Sequence, residues 1–92
     1  MKKFYLTQHA RKRIKERGVL PINPDRMKIA NKGFVRMIEK NSIKYKRGLP
    51  LDPGYFVAHQ RHKNIHHCYI CKQVGLSRYT VLTAFTVEFV ND

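Results

Sequence analysis

The 92-residue chain has few acidic residues, few cysteines and no long apolar segment. Its 2 cysteines are too few for a disulfide framework, and no apolar run approaches the roughly 18 to 20 residues that a membrane helix needs. The apolar stretch that follows Lys2 and Lys3 is too short for a secretory signal. Apolar residues, 42% of the chain, are spread along it without repeats or low-complexity segments. We therefore expect a single domain spanning residues 1–92, located in the cytoplasm and not on a membrane.

The scarcity of acidic residues leaves a formal net charge of +13, from 19 Lys and Arg against 6 Asp and Glu. The first 47 residues carry +12 of it and the last 45 only +1. A positive field on one half of a small molecule attracts polyanions, of which nucleic acid, including ribosomal RNA, is the commonest. A solubilising surface or an acidic protein partner is the alternative. The residues predicted to contact nucleic acid are Arg11, Lys12, Arg26, Lys28, Lys32, Arg36, Lys44, Tyr45, Lys46 and Arg47.

Local signals in the first half predict a strand and two helices. The strand covers residues 4–6, and the first helix runs from Gln8 to Arg17, between the N-cap Thr7 and the left-handed residue Gly18. An Asn-Pro start signal and apolar residues at helical spacing predict a second helix over residues 24–40.

The second half predicts strands. A Gly/Pro-rich loop is followed by β-type runs over residues 55–60, 65–74 and 79–90, joined by short hairpin links. The apolar residues expected on one face of the last strand are Val81, Phe85, Val87 and Phe89. The predicted fold is α+β, with element order β-α-α-β-β-β and both helices packed on one face of a small antiparallel sheet.

Two segments resemble a known family. Thr7–Val19 is similar to an N-terminal signature of roughly S/T-x-H-A-x-x-R-x-x-x-R-G-[IV], and Tyr79–Phe85 is similar to the closing strand of the same proteins. The signature is found in the RelE/ParE-like small toxin family of the barnase–EndoU–colicin–RelE nuclease superfamily. The resemblance implies a RelE-like fold. It also implies a toxin-like activity without a cofactor: metal-independent ribonuclease, ribosome-dependent mRNA interferase or gyrase inhibitor.

One imidazole and two guanidinium groups recur at every fourth position of the first predicted helix, at His9, Arg13 and Arg17, so they share a helical face. Metal-free RNA cleavage needs a base, an acid and cations that hold the charge growing on the phosphate. With the resemblance, these residues become a predicted catalytic set, completed by His59 and Thr83. The alternative is structural, with the arginines paired to the acidic residue of that helix or lying along the sheet edge.

The chain also has a CxxC motif near several histidines. A zinc site would use His62, His66, Cys68 and Cys71, provided that the backbone folds into a knuckle. In a regular strand, a spacing of three instead places the two thiols on opposite faces of the sheet. Free, partly buried cysteines are the default interpretation, and we expect neither a metal nor another cofactor.

Two functional hypotheses follow. The first is a RelE-like domain that binds RNA or the ribosome and cleaves RNA by acid–base chemistry. The second is a non-catalytic inhibitor that docks on nucleic acid, a ribosome or a protein through the same basic surface. Tyr45 and Tyr55 lie among cations, as rings that stack on bases do, although both rings can equally close the core. Convergence of the five catalytic candidates on one surface favours the enzyme, and scatter favours the binding protein.

Overall fold

The computed structural model describes residues 2–42, 45, 49 and 53–88. These residues form a five-stranded sheet and two helices in the order β-α-β-α-β-β-β. The elements are β1 (Lys3–Leu6), α1 (Gln8–Arg17), β2 (Lys28–Ile29), α2 (Lys32–Asn41), β3 (Tyr55–His62), β4 (Ile65–Gly75) and β5 (Arg78–Glu88). The mixed helix-and-sheet class is confirmed, whereas the predicted order β-α-α-β-β-β is wrong because a strand separates the helices.

The boundaries of α1 agree with the prediction, because both of its cap signals operate. The Thr7 side chain accepts a hydrogen bond from the Ala10 amide at 3.0 Å. Gly18 adopts the left-handed conformation, with φ 62° and ψ 33°, and Val19 donates its amide to the Ile14 carbonyl at 2.9 Å. Capping of both ends stabilises a helix that contains no acidic residue in its first turn.

The second helix begins later than predicted. The Asn-Pro signal initiates only a turn, in which the Asn23 side chain accepts from the Asp25 amide at 3.1 Å. The next residues alternate: Met27 is buried, Lys28 is exposed and Ile29 is partly buried, which is the period of a strand. The helix starts only after Asn31, whose side chain accepts from the Phe34 amide at 2.8 Å. Of the apolar residues that fit helical spacing, Phe34, Met37 and Ile38 lie in α2, whereas Met27 and Ala30 flank β2.

The strand order in the sheet is β1-β5-β4-β3-β2. The β3–β4 and β4–β5 hairpins are antiparallel, and β2 pairs antiparallel with β3. By contrast, β1 lies parallel to β5. The sheet is therefore mixed and not purely antiparallel, because the chain crosses from β1 through both helices before it returns.

The two helices cover opposite faces of the sheet, which corrects the prediction that both pack on one face. Ala10 of α1 packs in a core cluster with Ala58 and Tyr69. Ile38 of α2 packs in a second cluster with Val57. Val57 and Ala58 are neighbours in β3 and so point to opposite sides. We call the two sides the α1 face and the α2 face.

A register shift in the β4–β5 pairing alters the last strand. Ile70 pairs with Thr83 but the next residue, Cys71, pairs with Val81. Val81 consequently lies in the α1-face cluster, whereas Phe85 and Val87 lie in the α2-face cluster. The prediction that these apolar residues share one face is wrong, and Phe89 lies outside the described residues.

Candidate functional site

The predicted catalytic residues of α1 are only partly brought together. Arg13 donates from Nε to Nε2 of His9 at 3.4 Å, and both side chains lie at the surface. Arg13 also pairs with Glu16 at 3.1 Å. Arg17 instead donates from Nη1 to the Ala84 carbonyl at 2.9 Å, across the open edge of β5 beyond its pairing with β1. The structural alternative raised for the two arginines describes these contacts.

The other two catalytic candidates lie on the opposite side of the sheet. His59 shares the α2 face with Val57, two residues earlier in β3, and Thr83 pairs with Ile70 of the same face. β4 separates these two residues, so they lie roughly 10 Å apart at least. The sheet stands between them and His9. The five residues therefore do not form one site.

A different set of residues does converge. In the antiparallel register, Lys28 pairs with His59, and Arg61 pairs with His66. His66 pairs in turn with Val87, which packs in the α2-face cluster. The side chains of Lys28, His59, Arg61 and His66 consequently all belong to the α2 face, on three neighbouring strands.

These four residues line a cavity of about 490 Å³. The turn that precedes β2 adds Arg26 and Asp25 to its wall. Three full cations and two imidazoles thus surround the cavity, against one carboxylate. Such a balance favours an anionic ligand, and Arg and Lys are the side chains that bind phosphate most often.

An aromatic ring holds the imidazoles in place. Phe34, in the first turn of α2, stacks on His59 with ring centroids 3.8 Å apart and meets His66 edge-on at 5.3 Å. The two imidazole centroids lie 6.4 Å apart. Burial, His66 and Lys28, in that order, lower the pKa of His59 from 6.5 to about 4. Burial and Arg61 also lower the pKa of His66. Near neutral pH both imidazoles are therefore uncharged and able to accept a proton.

Buried polar groups of the α1 face fix the turn that carries Arg26. Tyr69 donates its hydroxyl proton to the Leu20 carbonyl. The Gln60 amide donates to Tyr69 Oη at 2.7 Å and to the Pro21 carbonyl at 2.9 Å. Nδ1 of His67 accepts from the Leu20 amide at 3.1 Å. These contacts tie Leu20 and Pro21, in the segment that leads from α1 to the turn before β2, to the sheet.

The predicted nucleic-acid contacts fall into five groups. Arg26 and Lys28 line the cavity, and Lys32 and Arg36 are exposed on α2 beside it. Arg11 and Lys12 are exposed on α1, on the other side of the sheet. Tyr45 is 7% exposed, with its ring 4.7 Å from that of Phe85, so of the two alternatives for this ring the structure supports the one in which it closes the core. The predicted contacts outside the described residues are Lys44, Lys46 and Arg47.

The proposed zinc ligands do not converge. Cys68 lies in the α2-face cluster and Cys71 in the α1-face cluster, as the strand interpretation of the spacing predicts. His62 pairs with Ile65 at the end of the hairpin and is exposed, and its side chain belongs to the face opposite His66. Within residues 2–42, 45, 49 and 53–88, no three His, Cys, Asp or Glu side chains are placed to hold a metal ion. Burial raises the pKa of both thiols to about 12.

Sequence reasoning selected His59 but missed its partners Arg61 and His66 as a set. The signal was available in the alternation of β3 and β4, because a short hairpin link fixes which residues pair. The contribution of Lys28 could not be found in this way, since its segment was assigned to a helix.

Comparison with known proteins adds no assignment, because no protein-family model, curated protein or solved structure matches the chain. Within the part of the chain that the structure describes, neither helix has the length and apolar character to cross a membrane.

Proposed function

We propose that this protein binds RNA, and that the cavity on the α2 face holds a phosphate of the RNA backbone. The observation that carries the proposal is the convergence of Lys28, Arg61, Arg26 and two imidazoles on one cavity of about 490 Å³. Phosphate contacts supply most of the affinity of such proteins, since each bound cation releases counterions from the nucleic acid. The exposed Lys32 and Arg36 extend the same positive surface.

RNA-binding assays with a matched control test this proposal. We expect the double variant K28E/R61E to lose most of its affinity for a fluorescent single-stranded RNA, by at least tenfold in 0.1 M salt. The control K12E/K15E removes the same charge from exposed positions of α1, on the other face. It should weaken binding far less. Equal losses in the two variants would show that the total charge, and not the cavity, determines binding.

A second function, cleavage of the bound RNA, is favoured by one observation, the two imidazoles 6.4 Å apart on the wall of the cavity. In metal-free cleavage a base takes the proton of the ribose 2′-hydroxyl, whose oxygen then bonds to phosphorus as the bond to the 5′ oxygen breaks. An acid returns a proton to that 5′ oxygen. An uncharged imidazole can accept this proton, and a bound phosphate would raise the low pKa of His59, which strengthens it as a base and brings it toward the acid role. The resemblance to RelE-like proteins implies the same chemistry, so RNA cleavage belongs to the proposal beside RNA binding.

The cleavage proposal is tested with labelled RNA in EDTA, alone and with ribosomes. We expect H59N and H66N each to abolish cleavage while retaining binding within about threefold, since the cations remain. H9A, altered on the far side of the sheet, should cleave as the wild type does. Intact RNA in every wild-type reaction, combined with tight binding, would leave the protein as a binding module only.

A further inference from the structure

A second cavity adjoins the first along the same strand. It has a volume of about 480 Å³ and lies between α2 and the part of β3 that extends beyond β2. Val35 of α2 forms one wall, and Tyr55 and Val57 of β3 form the floor. The side chains at its rim are Asn31, Lys32, Arg36 and Glu39. This cavity is apolar inside, and its rim carries two cations against one carboxylate.

We propose that this second cavity binds an unstacked base of single-stranded RNA whose neighbouring phosphate occupies the first cavity. The inference rests on the proposed RNA binding and adds to it the class of nucleic acid and a base site. The two cavities are closely spaced, because Val57 of one and His59 of the other are two strand residues, roughly 7 Å, apart. The ring of Phe34, stacked on His59, lies between α2 and this strand.

The lining combines features that suit a base. Tyr55 supplies an aromatic ring, and bases stack on such rings whatever their sequence. Lys72 Nζ lies 5.7 Å from the centroid of the Tyr55 ring, so a cation accompanies this ring from outside the cavity lining. Glu39 offers acceptors, and the amide of Asn31, whose oxygen caps α2, carries an NH₂ donor. Cations at the rim match the phosphates on either side of a base.

The geometry requires a single strand. In a duplex the bases are paired and stacked inside, so none can enter a side cavity without being extruded. A partner protein that inserts an apolar side chain is the other occupant that the cavity could take, and the experiment must separate the two.

The experiment measures fluorescence anisotropy with a labelled RNA octamer in three forms: single-stranded, duplex, and single-stranded with abasic residues that keep every phosphate. We expect the wild-type protein to bind the normal single strand roughly tenfold more tightly than the abasic strand or the duplex. Because this ratio is measured on one unaltered protein, it does not depend on whether a variant folds.

Variants then locate the effect. In Y55A and V35F, which remove the ring or fill the cavity without a change of charge, the ratio should fall to near one. It should stay near tenfold in Y5A, which removes an aromatic side chain that is 51% exposed on β1, at the other edge of the sheet. A ratio near one in the wild type, or an unchanged ratio in Y55A, would overturn the base site while the RNA-binding proposal stood. Absence of binding to any RNA form would overturn both.

Discussion

The two faces of the sheet use polar side chains in opposite ways, although the residues alternate along the same strands. On the α1 face, Gln60 and His67 are 5% exposed and bond to the segment between α1 and β2. On the α2 face, their sequence neighbours His59 and His66 line an open cavity. The polar side chains of the α1 face are thus bonded to the covering segment, whereas those of the α2 face border the cavity, which Gln60 also reaches at the sheet edge.

This contrast arises because different elements pack on the two faces of the sheet. The α1 face is closed by α1 and by the connecting segment, whose carbonyl groups bind Gln60 and Tyr69. The α2 face is covered by a ten-residue helix whose first turn reaches His59 through Phe34. Arg61 and His66 lie nearer the turn of the β3–β4 hairpin, and the cavity opens there.

The largest loss of stability is expected when a buried polar contact of the α1 face is removed. Y69F deletes the hydroxyl that donates to the Leu20 carbonyl and accepts from Gln60. We expect it to lower the free energy of unfolding by about 2 kcal/mol, because buried groups lose their partners. Urea unfolding measures this. Y5F, at an exposed tyrosine, should change stability by less than about 0.5 kcal/mol. Equal stability of the two variants would contradict the structural role of the network.

Burial of His59 on the α2 face should make the stability of the protein depend on pH. The pKa of His59 is about 4 in the folded protein, below its ordinary 6.5, so the unfolded state binds more protons between these values. The contribution of His59 to the free energy of unfolding is therefore fully present above about pH 6.5, and it is lost as the pH falls toward 4. The pKa shift alone corresponds to about 3 kcal/mol, and solvent screening of a half-buried ring reduces the expected loss to roughly 1 to 2 kcal/mol.

Thermal unfolding at pH 7.5, 6, 5 and 4.5 measures this loss. H59Q should have a flatter pH profile than the wild type. H62Q, altered at an exposed histidine of the same hairpin, should keep the wild-type slope. The lowered pKa values of His66 and His67 contribute in the same direction in both variants, and H62Q removes only the contribution of His62 to the pKa of His67, which is smaller than that of burial. A wild-type profile that is level from pH 7.5 to 4.5 would show that His59 is not buried against cations.

Much of the fold was predictable because its signals are local. The cap residues Thr7 and Gly18 define α1, and short links define both hairpins. The position of β2 was not predictable, because a strand of two residues gains its stability only from pairing with β3. The choice of face for each helix depends on the same pairing. The candidate site could be only partly predicted for this reason: His59, Arg26 and Lys28 were each selected from the sequence, whereas the position of Lys28 beside His59 depends on β2.

A smaller effect is expected where Arg17 crosses the edge of β5. Its hydrogen bond to the Ala84 carbonyl at 2.9 Å belongs to neither cavity. R17A should lower the free energy of unfolding by about 1 kcal/mol, because it removes this hydrogen bond. The loss stays small because water can bond to the carbonyl at the sheet edge in place of Arg17. R17K should recover part of the loss. Urea unfolding and RNA binding should be measured together. A severe loss of RNA affinity with unchanged stability would return Arg17 to the functional residues.

The smallest effect is expected at His9, and it tests the comparison of faces most directly. The imidazole is exposed on α1, its contact is a 3.4 Å hydrogen bond from Arg13, and the sheet separates it from the cavity. H9A should change the free energy of unfolding by less than about 0.5 kcal/mol, as surface substitutions usually do. Its affinity for RNA should match that of the wild type, while K28E/R61E should weaken binding at least tenfold. If H9A instead weakened RNA binding more than K28E/R61E did, the ligand would lie on the α1 side, and the opening helix would be the functional surface.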